Sequence, residues 1–146
     1  MHLFDSWAGI LAPTDFVEYA LPYVQEIILN LKEFNIPLIY FANNGATLLD
    51  LSVSSGADVI GLDWRINIAD AIKRVGNKAV QGNLDPFSLL LPKDKLRARI
   101  GKLLHDAKDA RGHIFNLGHG IHQFTPPDQA KFAVDMVHEL STLQAD

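Results

Sequence analysis

Short apolar runs, each closed by a polar or glycine-rich turn and followed by a stretch of helical periodicity, recur about five times along this chain. The runs are Leu3–Trp7, Pro37–Ala42, Val59–Leu62, Lys78–Gln81 and His113–Leu117. This alternation constrains the fold more than any other feature. A strand, an amphipathic helix and a second strand place the two strands side by side in parallel, because a parallel pair needs a long crossover between its members. The chain is therefore read as an α/β protein built on a parallel sheet.

The segments between the strands read as helices. Phe16, Tyr19, Ala20, Tyr23, Val24, Ile27, Ile28 and Leu31 recur at helical spacing after Thr14 and Asp15, and Pro22 within them predicts a kink or a broken first turn. A short helix is expected around Thr47–Ser54. Asn67 is placed to cap a helix running to about Arg74, and Gly76 to stop it. Lys93–Ala110 reads as a helix ending at Gly112. Pro126-Pro127 opens a last helix to about Leu143, with Phe132, Met136, Val137 and Leu140 on its apolar face.

Two architectures share this rhythm, a doubly wound sandwich and a (β/α)8 barrel. No Gly-x-Gly-x-x-Gly turn and no phosphate-loop lysine motif is present, which weakens the nucleotide-binding sandwich. About five units are too few to close eight strands. The pattern predicts a partial TIM (β/α)8 barrel.

With 146 residues, 48% of them hydrophobic, the chain fits one domain with a real core. A net charge of -4 argues against a nucleic-acid groove. Lys93, Lys95, Arg97 and Arg99 cluster beside Asp94 on an expected helix and read as a solvated face. The absence of cysteine removes disulfide and thiolate chemistry and fits a reducing, cytoplasmic setting. The apolar clusters are too short to span a membrane, and Met1-His2-Leu3-Phe4-Asp5 is not a signal peptide; the sequence enters a strand almost at once.

Every strand ends in polar residues or glycine: Asp5 and Ser6; Asn43-Asn44-Gly45; Asp63, Trp64 and Arg65; Gln81, Gly82, Asn83 and Asp85; Asn116, Gly118 and His119. In a parallel barrel these ends converge on one rim, where chemistry is done. His119 is the most pointed of them, held between Gly118 and Gly120 just after an apolar strand. Polar strand ends are also ordinary loops, and a turn histidine that only binds backbone fits the same motif. His119 and His122 lie in a glycine- and proline-flanked loop without a His-Glu-x-x-His pattern, so metal binding is not expected. A Ser6–His119 nucleophile pair is disfavoured, since Ser6 sits in Asp-Ser-Trp-Ala-Gly and not in a Gly-x-Ser-x-Gly elbow. Hydrogen bonding suits Ser6 better, either to a ligand or as a cap on the following turn. His105 and His138 read as surface residues, His113 as the opening of a strand, and Trp7 and Trp64 as core or rim packing.

Four motifs occur in order and at a characteristic spacing: Phe4-Asp5-Ser6-Trp7-Ala8-Gly9, Gly61-Leu62-Asp63-Trp64, Gln81-Gly82-Asn83-Leu84-Asp85-Pro86 and Phe115-Asn116-Leu117-Gly118-His119-Gly120. Together they resemble the uroporphyrinogen decarboxylase family, and Thr125-Pro126-Pro127 with Val137-His138-Glu139 resemble its C-terminal helix. The resemblance covers residues 1–146 but only the C-terminal part of the family's barrel, so the family's N-terminal part is expected to be absent.

The resemblance implies cofactor-free and metal-free removal of four acetate carboxyl groups from uroporphyrinogen III, giving coproporphyrinogen III for haem synthesis. A pyrrole protonated on carbon is the electron sink for loss of carbon dioxide, so the protein's tasks are positioning, proton delivery and charge stabilisation. By resemblance, Ser6 and His119 contact substrate carboxylates and Phe4 lines the macrocycle pocket. No catalytic proton donor is assigned. The family's N-terminal arginines, its pyrrole-facing aspartate and a pocket tyrosine have no counterpart here, so the chain alone is expected to show no significant turnover. Asn43-Asn44 stands where a lysine-glycine pair is common, and His122-Gln123 where leucine-proline is usual.

The expected partners are a porphyrinogen substrate and a second copy or complementary half, because the family forms homodimers and a half barrel leaves two strand edges unpaired. Neither nucleic acid nor membrane is expected. Two other readings stay open: a non-catalytic fragment that folds or associates only with a partner half, and a corrinoid or coenzyme M methyltransferase of the same fold. Zero cysteines argue against the latter's zinc–thiolate site.

Overall fold

A computed structural model describes residues 1–142. One sheet of five parallel strands runs through it in the order β1-β2-β3-β4-β5: β1 (His2–Asp5), β2 (Ile39–Ala42), β3 (Val59–Gly61), β4 (Ala79–Leu84) and β5 (His113–Leu117). A doubly wound sheet reverses its strand order at a switch point. Here the order never reverses, which is the arrangement of a barrel wall, and the fold is a five-unit part of a (β/α)8 barrel.

The two faces of the sheet differ. Leu3, Tyr40, Ile60 and Val80 lie in register on one face. They pack with Phe16, Leu21, Val24 and Ile28 of α1 (Pro13–Tyr19) and α2 (Leu21–Leu31) and with Ile68, Ala71 and Val75 of α4 (Ile68–Val75). A second core joins Leu96, Ile100 and Leu104 of α5 (Lys93–Asp106) to Ala133, Phe132 and Leu140 of α6 (Pro127–Thr142). On the other face, Phe4, Phe41, Gly61, Gln81 and Ile114 are in register, and no helix among the described residues covers them.

Local chemistry explains most boundaries. Asn67 caps α4, its side-chain oxygen accepting from the N–H groups of Ala69 at 2.9 Å and Asp70 at 3.4 Å, and Gly76 ends the helix at φ 61°. The long helix expected after Asp15 is two helices. The break falls at Ala20, and Pro22 sits in the first turn of α2, where its missing N–H costs nothing. The short helix expected at Thr47–Ser54 is a 3₁₀ turn, Gly45–Leu48, leading into α3 (Leu49–Val53).

Three expectations need correction. β4 does not close at Gly82 but continues to Leu84, because Gly82, Asn83 and Leu84 pair with Phe115, Asn116 and Leu117. The basic cluster on α5 is not simply solvated: Arg97 binds Glu139 of α6 at 2.7 and 3.1 Å and holds that carboxyl below its usual range, while Arg99 donates to Ser88 Oγ at 3.0 Å. Trp7, read as packing, is 75% exposed. The expected end of the last helix at Leu143 lies outside the described residues.

Candidate active-site cleft

At the C-terminal end of β1 the chain must turn sharply, and Asp5 makes the turn. Its Oδ1 accepts from the N–H groups of Trp7 at 3.3 Å and Ala8 at 2.9 Å, and its Oδ2 accepts from the Tyr40 hydroxyl at 3.3 Å. Tyr40 is fully buried, and its pKa is pushed up by burial first and by the Asp5 carboxylate second. The capping role considered for Ser6 therefore belongs to Asp5. Ser6 faces a cleft.

That cleft, about 420 Å³, is walled by both edges of the sheet. Phe4 and Ser6 come from β1 and its turn, and Asn116, Leu117, His119, Gly120 and Ile121 from β5 and its loop, while Phe41, Leu62 and Gln81 form the floor. All three residues singled out by resemblance, Phe4, Ser6 and His119, thus line one cavity although they are far apart in sequence. Phe4 stacks on His2 with ring centroids 3.7 Å apart and meets Phe41 edge-on at 6.1 Å. Gly61 makes room for Phe41, since a Cβ there would stand 2.9 Å from the Phe41 Cβ.

Gly118 places the histidine loop. Its N–H donates to Leu84 O at 2.7 Å, and a Cβ on it would stand 2.4 Å from the Trp64 nitrogen. Only glycine lets the loop lie this close to the β3 turn. His119 then meets the Trp64 ring edge-on at 6.1 Å, and the Arg65 guanidinium lies 3.9 Å over the same indole.

Other polar strand ends are turned into the protein. The Asp63 side chain is 1% exposed; its Oδ1 accepts from the Arg65 N–H at 2.8 Å and its Oδ2 from Arg65 Nη1 at 3.3 Å. Asn83 Nδ2 donates to Asp63 O at 2.8 Å and Ile66 O at 2.7 Å. Asp85 Oδ1 accepts from the Phe87 N–H at 2.9 Å. These residues share the rim with Ser6 and His119 but are occupied in holding adjacent turns together. His113 is likewise more than a strand opener: its Nε2 lies 2.7 Å from Gly82 O, and burial pushes its pKa down.

Phe41 was not foreseen as a cleft residue, whereas Gln81 was expected at the rim and lies in the cleft floor. The available signal for Phe41 was the alternation of strand side chains. The cleft, which His2 also lines, therefore offers a hydroxyl, two imidazoles and two amides above an aromatic floor. That set can bind carboxylates and a flat apolar ring.

Comparison with known proteins identifies the family. The uroporphyrinogen decarboxylase (URO-D) family profile matches residues 1–140. The chain is 70% identical over 141 residues to a uroporphyrinogen decarboxylase of Desulfotalea psychrophila, covering 97% of this chain and 42% of that protein. It is 48% identical over 144 residues to one from Carboxydothermus hydrogenoformans, covering 98% and 41%. The chain thus spans about two fifths of the length of these curated relatives. Among solved structures, a methyltransferase from Methanosarcina mazei superposes with a TM-score of 0.81 at 19% identity, covering 96% of this chain and 42% of that one, a likeness of fold. The chain belongs to the uroporphyrinogen decarboxylase family.

Proposed function

We propose that this chain supplies the His119-bearing side of a uroporphyrinogen decarboxylase active site, the other side coming from a complementary segment of the barrel. The observation that carries this reading is the convergence of Phe4, Ser6 and His119 on one cleft. The reaction is the cofactor-free conversion of the four acetate arms of uroporphyrinogen III to methyls. A proton added to a pyrrole carbon makes the ring cationic, and the acetate C–C bond breaks with its electrons flowing into that cation. Carbon dioxide leaves, a second proton completes the methyl, and the ring proton is lost. Phe4 and Phe41 hold the ring by its apolar face, and Ser6 and the His119 imidazole donate hydrogen bonds to carboxylates. Gln81 and Asn116 add neutral donors from the strands beneath.

Near the rim, Arg65 is already paired with Asp63 and Arg99 with Asp85. A substrate with eight carboxylates needs more than that, so the chain alone is expected to be inactive. The experiment is a uroporphyrinogen III assay with and without the segment of the Desulfotalea psychrophila relative that lies outside the match. Product formation only with the segment supports the reading. Robust turnover by the chain alone, or none by the assembled pair, contradicts it.

The same reading predicts association in the cytoplasm with the complementary segment or a second copy. β1 and β5 each pair with one strand only among the described residues, and Phe4 and Ile114 on the bare face are 67% and 45% exposed. A monodisperse monomer in sedimentation at tens of micromolar would count against this.

A further inference from the structure

Behind His119 lies a second cleft that the proposed function does not use. It is about 330 Å³, shares His119, Gly120 and Ile121 with the first, and is otherwise walled by Trp64, Pro86, Phe87, His122 and Gln123. The His122 ring lies against Phe87 at 5.1 Å and Phe124 at 5.3 Å between ring centroids, both tilted. Its Nδ1 accepts from the Phe124 N–H at 3.3 Å, which puts the proton of the neutral ring on Nε2. That Nε2–H donates to no group among the described residues. Two aromatic walls and one oriented imidazole donor, next to a cleft already suited to a pyrrole, match a flat ring bearing a carboxylate.

We propose that Trp64, Phe87 and His122 form an outer subsite that holds a second carboxylate-bearing pyrrole of the substrate across His119 from the inner cleft. The proposal rests on the porphyrinogen reading above and deepens it. A tetrapyrrole is larger than a single ring, and ligand pockets run to about 1,000 Å³. Two clefts that share His119 let one macrocycle place one ring over Phe4 while its neighbour occupies the outer subsite. His122 is then a binding residue remote from the reacting arm.

The test is titration of the nitrogen-15-labelled chain with porphobilinogen, a single pyrrole bearing one acetate and one propionate, followed at the Trp64 indole N–H and the His122 ring. Both signals are expected to move saturably. In His122→Leu the Trp64 shift should need about tenfold more ligand, the effect of one hydrogen bond to a charged group. His122→Gln keeps a donor and should recover most of the affinity. Signals that do not move in the unaltered chain, or a His122→Leu curve that superimposes on it, would overturn the subsite. An intact titration beside an assembled pair that fails to decarboxylate would uphold the subsite as a pyrrole site and remove only the functional reading.

Discussion

The strand ends in the middle of the sheet and those at its edges look alike in sequence and behave differently in space. Asp63 and Asn83, after β3 and within β4, use their polar atoms on neighbouring backbone and on Arg65. Ser6 and His119, after β1 and β5, line an open cleft. The difference follows from position in the barrel wall. Central turns have a neighbour on each side whose carbonyls and N–H groups must be satisfied, and a buried polar side chain does that. Edge turns lack one neighbour, so once Asp5 has satisfied its own turn, Ser6 and His119 stay available to a ligand or to the segment that closes the barrel.

Substitutions can break this comparison. The largest effect is expected for Asn83→Leu, which strands one buried and one part-buried carbonyl and should cost about 3 kcal/mol of stability in chemical denaturation. A loss under about 1 kcal/mol would remove Asn83 from the scaffold group. Tyr40→Phe removes the hydroxyl that steadies Asp5 and should cost about 1 kcal/mol, measured the same way.

A smaller effect is expected from pH. Burial lowers the pKa of His113, and of His2 as well, below the ordinary imidazole value of about 6.5. The unfolded chain then takes up protons before the folded one does. The stability these neutral rings carry is fully present above about pH 6.5 and is lost as pH falls through the lower folded values. His113→Gln keeps a donor for Gly82 O, and it should flatten the fall in denaturation midpoint below neutral pH. An unchanged slope would show that His113 does not titrate in a buried state. Ser6→Ala should be the mildest, within about 0.5 kcal/mol of the unaltered chain.

Much of the scaffold was legible because it is written in local chemistry. His113–Leu117 is bounded by glycines, Asn67 and Gly76 flank a helical period, and Pro22 marks a break that the structure places two residues earlier. Long-range pairing was not legible. Gly82-Asn83-Leu84-Asp85-Pro86 carries every signal of a turn, yet β5 holds its first three residues in the sheet. The charges of α5 gave no hint that Arg97 answers Glu139 some forty residues away. In the cleft, the motifs pointed to Phe4, Ser6 and His119 and the polar strand ends to Gln81, whereas the contribution of Phe41 depends on strand register across two ladders.

In the proposed function His119 serves the ligand and not the scaffold. The direct measurement is uroporphyrinogen turnover and denaturation midpoint on one preparation of His119→Asn, assembled with the complementary segment. Turnover should fall by tens-fold, on the order of the smaller general acid–base contributions, with the midpoint unmoved. Unchanged turnover, or a loss of turnover matched by a loss of stability, would contradict it.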